Sequence, residues 1–180
     1  MEKDFIVVGF SRPNKSKKFP IFSWLIRLVE GTKFSHTYIK GYQGLKPQGY
    51  VYQASGLDVN FMGLEIFESN VEILHEYKIE VTRDQRRDMI SRAIRLSGSP
   101  YGIKQIFGIA YHRFGRLFGQ NWRNPFSDGE ITAVCSEIVA AVLINLGFEF
   151  KQDLDLITPR DIHDALEKGI KLGLPIERFI

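Results

Sequence analysis

The chain has 180 residues, 44% of them hydrophobic and 13% aromatic, with a net charge of +3. That length suits a single domain, residues 1–180, able to bury roughly two thirds of its unfolded surface, and the composition excludes an intrinsically disordered or repeat protein. One cysteine excludes an internal disulfide, four histidines without CxxC or HExxH spacing give no zinc motif, and the charge is too small to imply a polyanionic partner.

Taken in order, Phe5 to Phe10 reads as a buried strand. A loop from Ser11 to Lys18 leads to an apolar-periodic helix from about Pro20 to Glu30, stopped by Gly31. Phe34–Lys40 and Gly49–Ala54 are rich in β-branched and aromatic residues and are separated by a Gly/Pro turn, which predicts neighbouring antiparallel strands. Asp58–Met62 is expected as a third member. Val71–Val81 is expected as a fourth, with Val71, Ile73, His75, Tyr77, Ile79 and Val81 on one face and mostly charged residues on the other, so that the sheet is half buried.

After Thr82 the period becomes helical, and Met89, Ile90, Ala93 and Ile94 mark a stripe running to Leu96. Ser97 to Pro100 ends that helix, and the next is predicted to start at Pro100 with Ser99 as its cap. An aromatic, basic and glycine-containing stretch to about Asp128 follows, long enough for a lid or wall but without a readable structure. Ile131–Leu146 is the most strongly patterned helix, with Cys135, Ile138, Val139, Val142 and Leu146 on one stripe and Gly147 as its stop. Thr158-Pro159-Arg160-Asp161 opens a last helix, with Thr158 capping and Asp161 in the first turn. The expected class is α+β.

Met1 to Asp4 and the short apolar run after it lack the apolar core of a signal peptide, so a cytoplasmic protein is expected. It would reach a cell wall only by lysis, in a phage particle or by another non-classical route. Arg27 and Glu30 interrupt the best apolar stretch, which leaves room only for peripheral membrane contact. Arg12, Lys15, Lys17 and Lys18 crowd one loop, and Lys104, Arg113, Arg116 and Arg123 interleave with Tyr111, Phe114, Phe118 and Trp122. Such interleaving can bind lipid headgroups or nucleic acid, but the first expectation is a solvated loop and a helix whose basic side chains lie over its apolar face.

Nucleophilic cysteine chemistry needs a thiolate, and a helix start supplies backbone N–H groups and a positive dipole end beside the sulfur. Cys135 sits within about a turn of such a start. A base must then take the thiol proton, with a third group fixing its tautomer. His36 on one strand and Gln53 on the next fit those roles. Taken alone, Cys135 equally suits a small hydrophobe on a buried stripe, and His36 a structural strand histidine. His75 is a weaker candidate on the same grounds, and His112 and His163 weaker still.

Local words add what spacing lacks. Cys135-Ser136-Glu137-Ile138-Val139 resembles the CSE(L/I)V opening of the nucleophile helix in the YiiX-like group of circularly permuted NlpC-type hydrolases, within the papain-like superfamily. Phe34-Ser35-His36-Thr37-Tyr38-Ile39 is similar to that group's histidine strand, and Val51-Tyr52-Gln53-Ala54 to the strand after it, where the group usually has V-x-E-A. Ser99-Pro100-Tyr101-Gly102 resembles its PY motif and Thr158-Pro159-Arg160-Asp161 its TPxD close. The order is the telling feature, because unpermuted papain-like enzymes place the cysteine before the histidine. Gln53 departs from the pattern: its carbonyl still accepts from the imidazole but lacks a carboxylate's charge.

The resemblance implies an antiparallel sheet packed against helices, and attack by Cys135 on an amide or ester carbonyl through an acyl-enzyme. It assigns His36 as base and Gln53 as orienting group. The Cys135 backbone N–H and the Tyr101 hydroxyl are oxyanion donors, with Tyr38 as the alternative second donor. The implied substrate is a peptide, a peptidoglycan fragment or an acyl ester or amide, the last making the chain a lipid acyl hydrolase or acyltransferase. No cofactor, metal or nucleic acid is expected. The rival reading is a weakly active or inactive member of the fold that binds membrane or nucleic acid through Lys104–Arg123.

Overall fold

The computed structural model describes residues 4–14, 21–42, 49–55, 58–120, 122, 125 and 134–180. In chain order the elements are β1 (Asp4–Pro13), α1 (Ile21–Glu30), β2 (His36–Tyr42), β3 (Gly49–Ser55), β4 (Asp58–Gly63), α2 (Leu64–Asn70), β5 (Val71–Val81), α3 (Arg83–Leu96), α4 (Ile103–Leu117), α5 (Cys135–Asn145), α6 (Pro159–Lys171) and β6 (Ile176–Arg178). A short 3-10 turn, Leu154–Leu156, precedes α6. The strands form one sheet in the order β4-β3-β2-β1-β5-β6, with every neighbouring pair antiparallel.

β1 lies inside this sheet, and its residues from Ile6 to Ser11 are buried without a break, as a strand covered on both faces requires. It runs three residues beyond the predicted Phe10 because pairing with β5 continues as far as Val71, past a bulge between Phe10 and Ser11. The bulge also breaks the predicted face of β5. Tyr77, Ile79 and Val81 join the main core, but so does Leu74, while Val71 packs on the opposite face with Tyr38, Val51 and Phe67. A period-two reading cannot register the extra residue of a bulge.

That opposite face is also less open than predicted. α2, which the sequence reading did not anticipate, lays the buried Phe67 over it, with ring centroids 4.5 Å from Tyr38. Beneath it Lys40 and Glu76 are both buried. Lys40 Nζ reaches Glu68 Oε1 at 2.9 Å and Glu76 Oε1 at 2.5 Å, and the Tyr38 hydroxyl donates to Glu76 at 2.8 Å. The Tyr38 ring lies so close over Gly9 that a Cβ there would sit 2.2 Å from it, so only glycine fits opposite this tyrosine.

The main face carries α3, α5 and α6 through Met89, Ala93, Ile138, Val139, Leu143, Ile162 and Leu166. Fully buried side chains such as Leu143, Ile162 and Leu166 contribute about 1.5–3 kcal/mol each. α5 buries Ser136 and Ala140 as well as its apolar stripe, because it is enclosed on more than one side. Gly31 and Gly147 follow α1 and α5 with φ of 63° and 93°, the left-handed geometry that ends a helix.

α4 starts at Ile103, not at Pro100. Asp58 and Pro100 form an isolated antiparallel bridge, Val59 N–H donates to Ser99 O at 3.0 Å, and Gly98 N–H donates to Val59 O at 2.8 Å. Residues 98–100 therefore lie along the β4 edge, satisfying backbone groups that a helix start would have turned inward. The helix predicted over Ile131–Leu146 is α5, which starts at Cys135 because Val134 is still extended; residues 131–133 lie outside the described residues. Thr158 caps α6 as predicted, accepting from Asp161 N–H. Among the described residues no helix is long and apolar enough to cross a membrane.

Candidate active site

Cys135 is the first residue of α5, preceded by Val134 in extended geometry (φ −104°, ψ 162°). Val134 N–H donates to Glu137 Oε2 at 3.4 Å, tying the end of the incoming chain to the first helical turn. The sulfur is buried, only 3% exposed, and faces the backbone N–H groups of Thr37 and Ser136. Thr37 can offer its N–H because β2 and β3 pair only from Ile39–Tyr52 to Tyr42–Gly49. Ahead of Ile39 the two strands part, and the start of α5 sits against that opening.

The side chains at the opening converge. His36 is the first residue of β2 and its Nε2 lies 2.8 Å from Gln53 Oε1. A glutamine oxygen only accepts, so Nε2 carries the proton and Nδ1 is left for the sulfur of Cys135, to which the imidazole is also hydrogen-bonded. Gln53 is oriented in turn. Its Nε2 faces Asn60 Oδ1 at 3.5 Å and Met62 Sδ at 3.9 Å, while Asn60 Nδ2 donates to Asp58 Oδ1 at 2.8 Å. Asn60 is the register partner of Gln53 across β3 and β4, so sheet pairing places Asn60 beside Gln53, with Asp58 two residues along the same strand face.

Electrostatics follow the contacts. Burial pushes the Cys135 thiol up, but the imidazole of His36 and the N–H groups of Thr37 and Ser136 outweigh it, and the thiol titrates below its ordinary value. Burial lowers His36, and the Cys135 sulfur and the Gln53 carbonyl outweigh that too, so the imidazole titrates above its ordinary value. One proton is thus shifted from sulfur toward nitrogen. Tyr101, partly buried, hydrogen-bonds the same sulfur; its burial and the charge on Cys135 hold its hydroxyl well above the usual range, so it stays a protonated donor.

Of the residues singled out from sequence, Cys135, His36, Gln53 and Tyr101 are therefore brought together, and Tyr38 is not. Tyr38 points to the α2 side, with its hydroxyl on Glu76; its ring stacks beside His36 at 6.2 Å between centroids. His75 and His163 pack against each other and against Phe34. His112 bonds the backbone carbonyl of Trp122. Sequence reading missed Asn60 and Asp58, although alternation along β4 puts both on the Gln53 face once the register is known.

Two further words of the sequence turn out to be structural supports. Ser136 Oγ donates to Ile157 O at 2.6 Å, fixing the start of α5 to the chain entering α6. The Thr158 hydroxyl donates to Glu30 Oε2 at 2.5 Å, and Arg113 Nη2 reaches Asp161 Oδ2 at 2.6 Å, so α1, α4 and α6 meet there. Between them lies a small cavity of about 30 Å³ that reaches Cys135 and Tyr101, walled by Ile26 and Val29 of α1 and Ile106 and Ile109 of α4. Its volume matches roughly the share of one water molecule in the liquid.

No family model matches the chain, and no curated protein matches it either.

Proposed function

We propose that the chain is a cysteine hydrolase of the circularly permuted, NlpC-type papain-like class, acting on an amide or ester through an acyl-enzyme. The observation that carries this reading is the imidazole of His36 placed between the Cys135 sulfur and the Gln53 carbonyl, at the first turn of α5. The histidine strand precedes the nucleophile helix in the chain, as the permuted layout requires.

In this reading the Cys135 thiolate attacks the carbonyl carbon, and the new oxyanion is met by the Tyr101 hydroxyl and the Cys135 backbone N–H. The imidazolium of His36 gives its proton to the leaving amine or alcohol as the C–N or C–O bond breaks, leaving a thioester. Water then attacks the thioester while His36 takes its proton, and the thiolate is restored. Gln53 holds the imidazole tautomer throughout, with Asn60 and Asp58 holding Gln53.

A second reading of the same chemistry is an acyl hydrolase or acyltransferase; the walls of the cavity beside Cys135 are apolar, but at about 30 Å³ it is too small to seat an acyl chain and does not select between the two substrate classes. Both readings are tested by the thiol itself. Iodoacetamide labelling followed by mass spectrometry across pH 5 to 8 is expected to modify Cys135 faster than a free thiol. Ordinary or suppressed labelling throughout that range would remove the hydrolase reading and leave a binding module of the same fold.

A further inference from the structure

α1 and α4 each expose a row of apolar residues although polar residues of the same helices are buried. The polar residues Ser23 and Glu30 of α1 are buried, whereas Ile21, Trp24 and Leu28 are exposed, Ile21 by 68% and Leu28 by 61%. Their spacing of three and four places them on one helical face. α4 buries Gln105 and His112 beside Ile106 and Ile109, while Phe107, Tyr111 and Phe114, with Phe118 just after the helix, stand out at helical spacing, Phe118 by 65%. Soluble helices turn their apolar stripe inward, and an outward stripe of this size marks a surface that meets something.

Charge identifies the occupant. The two helices, Ile21–Glu30 and Ile103–Leu117, carry four Lys and Arg (Arg27, Lys104, Arg113 and Arg116) and one acid, Glu30, which is buried. The rest of the chain holds 20 cations and 20 anions, so the excess of positive charge lies in these two helices. A second copy placed symmetrically on this face would set cations against cations. Nucleic acid would gain nothing from Ile21 and Leu28, which neither stack on bases nor bind phosphate. An apolar and aromatic stripe flanked by cations such as the exposed Lys104, on two helices whose one acid is buried, fits the headgroup region of an anionic bilayer.

We infer that the outer face of α1 and α4 docks on an anionic lipid surface. The two helices pack on each other, and their opposite sides wall the cavity at Cys135, so docking would bring the bilayer to within one helix thickness of the thiol. The docking inference stands whether or not Cys135 is catalytic.

The test is co-sedimentation of the full chain with vesicles of phosphatidylcholine alone and of equal parts phosphatidylcholine and phosphatidylglycerol, with Trp emission read in a Trp122→Phe background. Binding to the mixed vesicles is expected, at least about tenfold weaker to the neutral ones and weakened by salt, with a blue shift of Trp24. Leu28→Glu and Phe107→Glu should each lower partitioning about tenfold or more while leaving the thermal transition in place. Lys104→Glu, at an exposed position, serves where Phe107→Glu does not fold, and Cys135→Ser should bind as wild type does. Absence of binding at low salt, or binding indifferent to Leu28→Glu, overturns the inference. So does a dimer in sedimentation velocity that Leu28→Glu dissociates, since the face would then be covered by a second copy.

Discussion

A thiolate held by an imidazolium alkylates at pH values where a free thiol is protonated and silent. Because His36 is the main group drawing the Cys135 thiol down against the effect of burial, His36→Ala should move the alkylation profile to higher pH. His75→Ala should leave it unchanged, since His75 packs with His163 and Arg178 instead. Equal shifts from both would mean that general loosening was being measured. Gln53 acts one step further out. On any turned-over substrate Gln53→Ala should cost roughly ten- to a thousandfold in single-turnover rate, about 1.4 to 4 kcal/mol. Gln53→Glu should retain or raise that rate, because a carboxylate accepts the same bond and attracts the imidazolium. Asn60 adds an internal control. Asn60→Ala frees the Gln53 amide to flip and should slow the wild-type background, but not the Gln53→Glu background, whose two oxygens are equivalent. A wild-type rate for Gln53→Ala would separate Gln53 from the chemistry altogether.

At the scale of elements, buried polar links fix how the helices sit on the sheet. Lys40 and Glu76 are buried together under α2, with Tyr38 donating to the same carboxylate. Removing Glu76 leaves Lys40 with the half-exposed Glu68 alone and Tyr38 without its acceptor, so Glu76→Ala should lower stability by about 3 kcal/mol, read from the urea midpoint. Glu76→Gln keeps an acceptor for Tyr38 and should cost less. On the other side of the sheet, Thr158 caps α6 and donates to the buried Glu30 at the end of α1. Thr158→Ala should therefore cost about 2 kcal/mol, more than an exposed cap, because it also leaves a buried carboxylate short of a donor. Thr158→Ser, which keeps the hydroxyl, should recover most of the loss.

For the whole molecule, acid stability is set partly where the last strand docks. Burial, the Arg178 guanidinium and His163 together hold His75 below its ordinary value of 6.5, with Glu167 and the Ile180 backbone opposing them. A group whose folded value is depressed resists protonation in the native state. Its contribution to stability is therefore fully present above the unfolded value and is lost as pH falls through the folded one. Arg178 Nη2 donates to His75 Nδ1 at 3.0 Å and Arg178 Nη1 reaches Glu167 at 3.2 Å, so protonating His75 sets two cations face to face and weakens β6. Protection factors for amide exchange at Ile176–Arg178 should fall as pH is lowered below the ordinary histidine range, before global unfolding. His75→Gln, which cannot charge, should flatten that dependence; an unchanged profile would place the acid sensitivity elsewhere.

What the sequence determined by itself was local. The α+β class, most strand and helix positions, the Thr158 cap and the glycine stops at Gly31 and Gly147 rest on contacts within a turn or a strand, and periodicity and side-chain chemistry report those directly. Cys135, His36, Gln53 and Tyr101 could be named because the words around them are themselves local patterns. Their meeting was decided by tertiary structure, through the parting of β2 from β3 ahead of Ile39, which frees Thr37 N–H and opens a place for the start of α5. The same holds for the bulge that moves Val71 off the expected face, for α2 closing over Lys40 and Glu76, and for Pro100 pairing along β4 where a helix start was predicted. The outward stripes of α1 and α4 are the extreme case. Both helices carry apolar residues on more than one face, and only the packing of the rest of the chain decides which of those faces is turned to water.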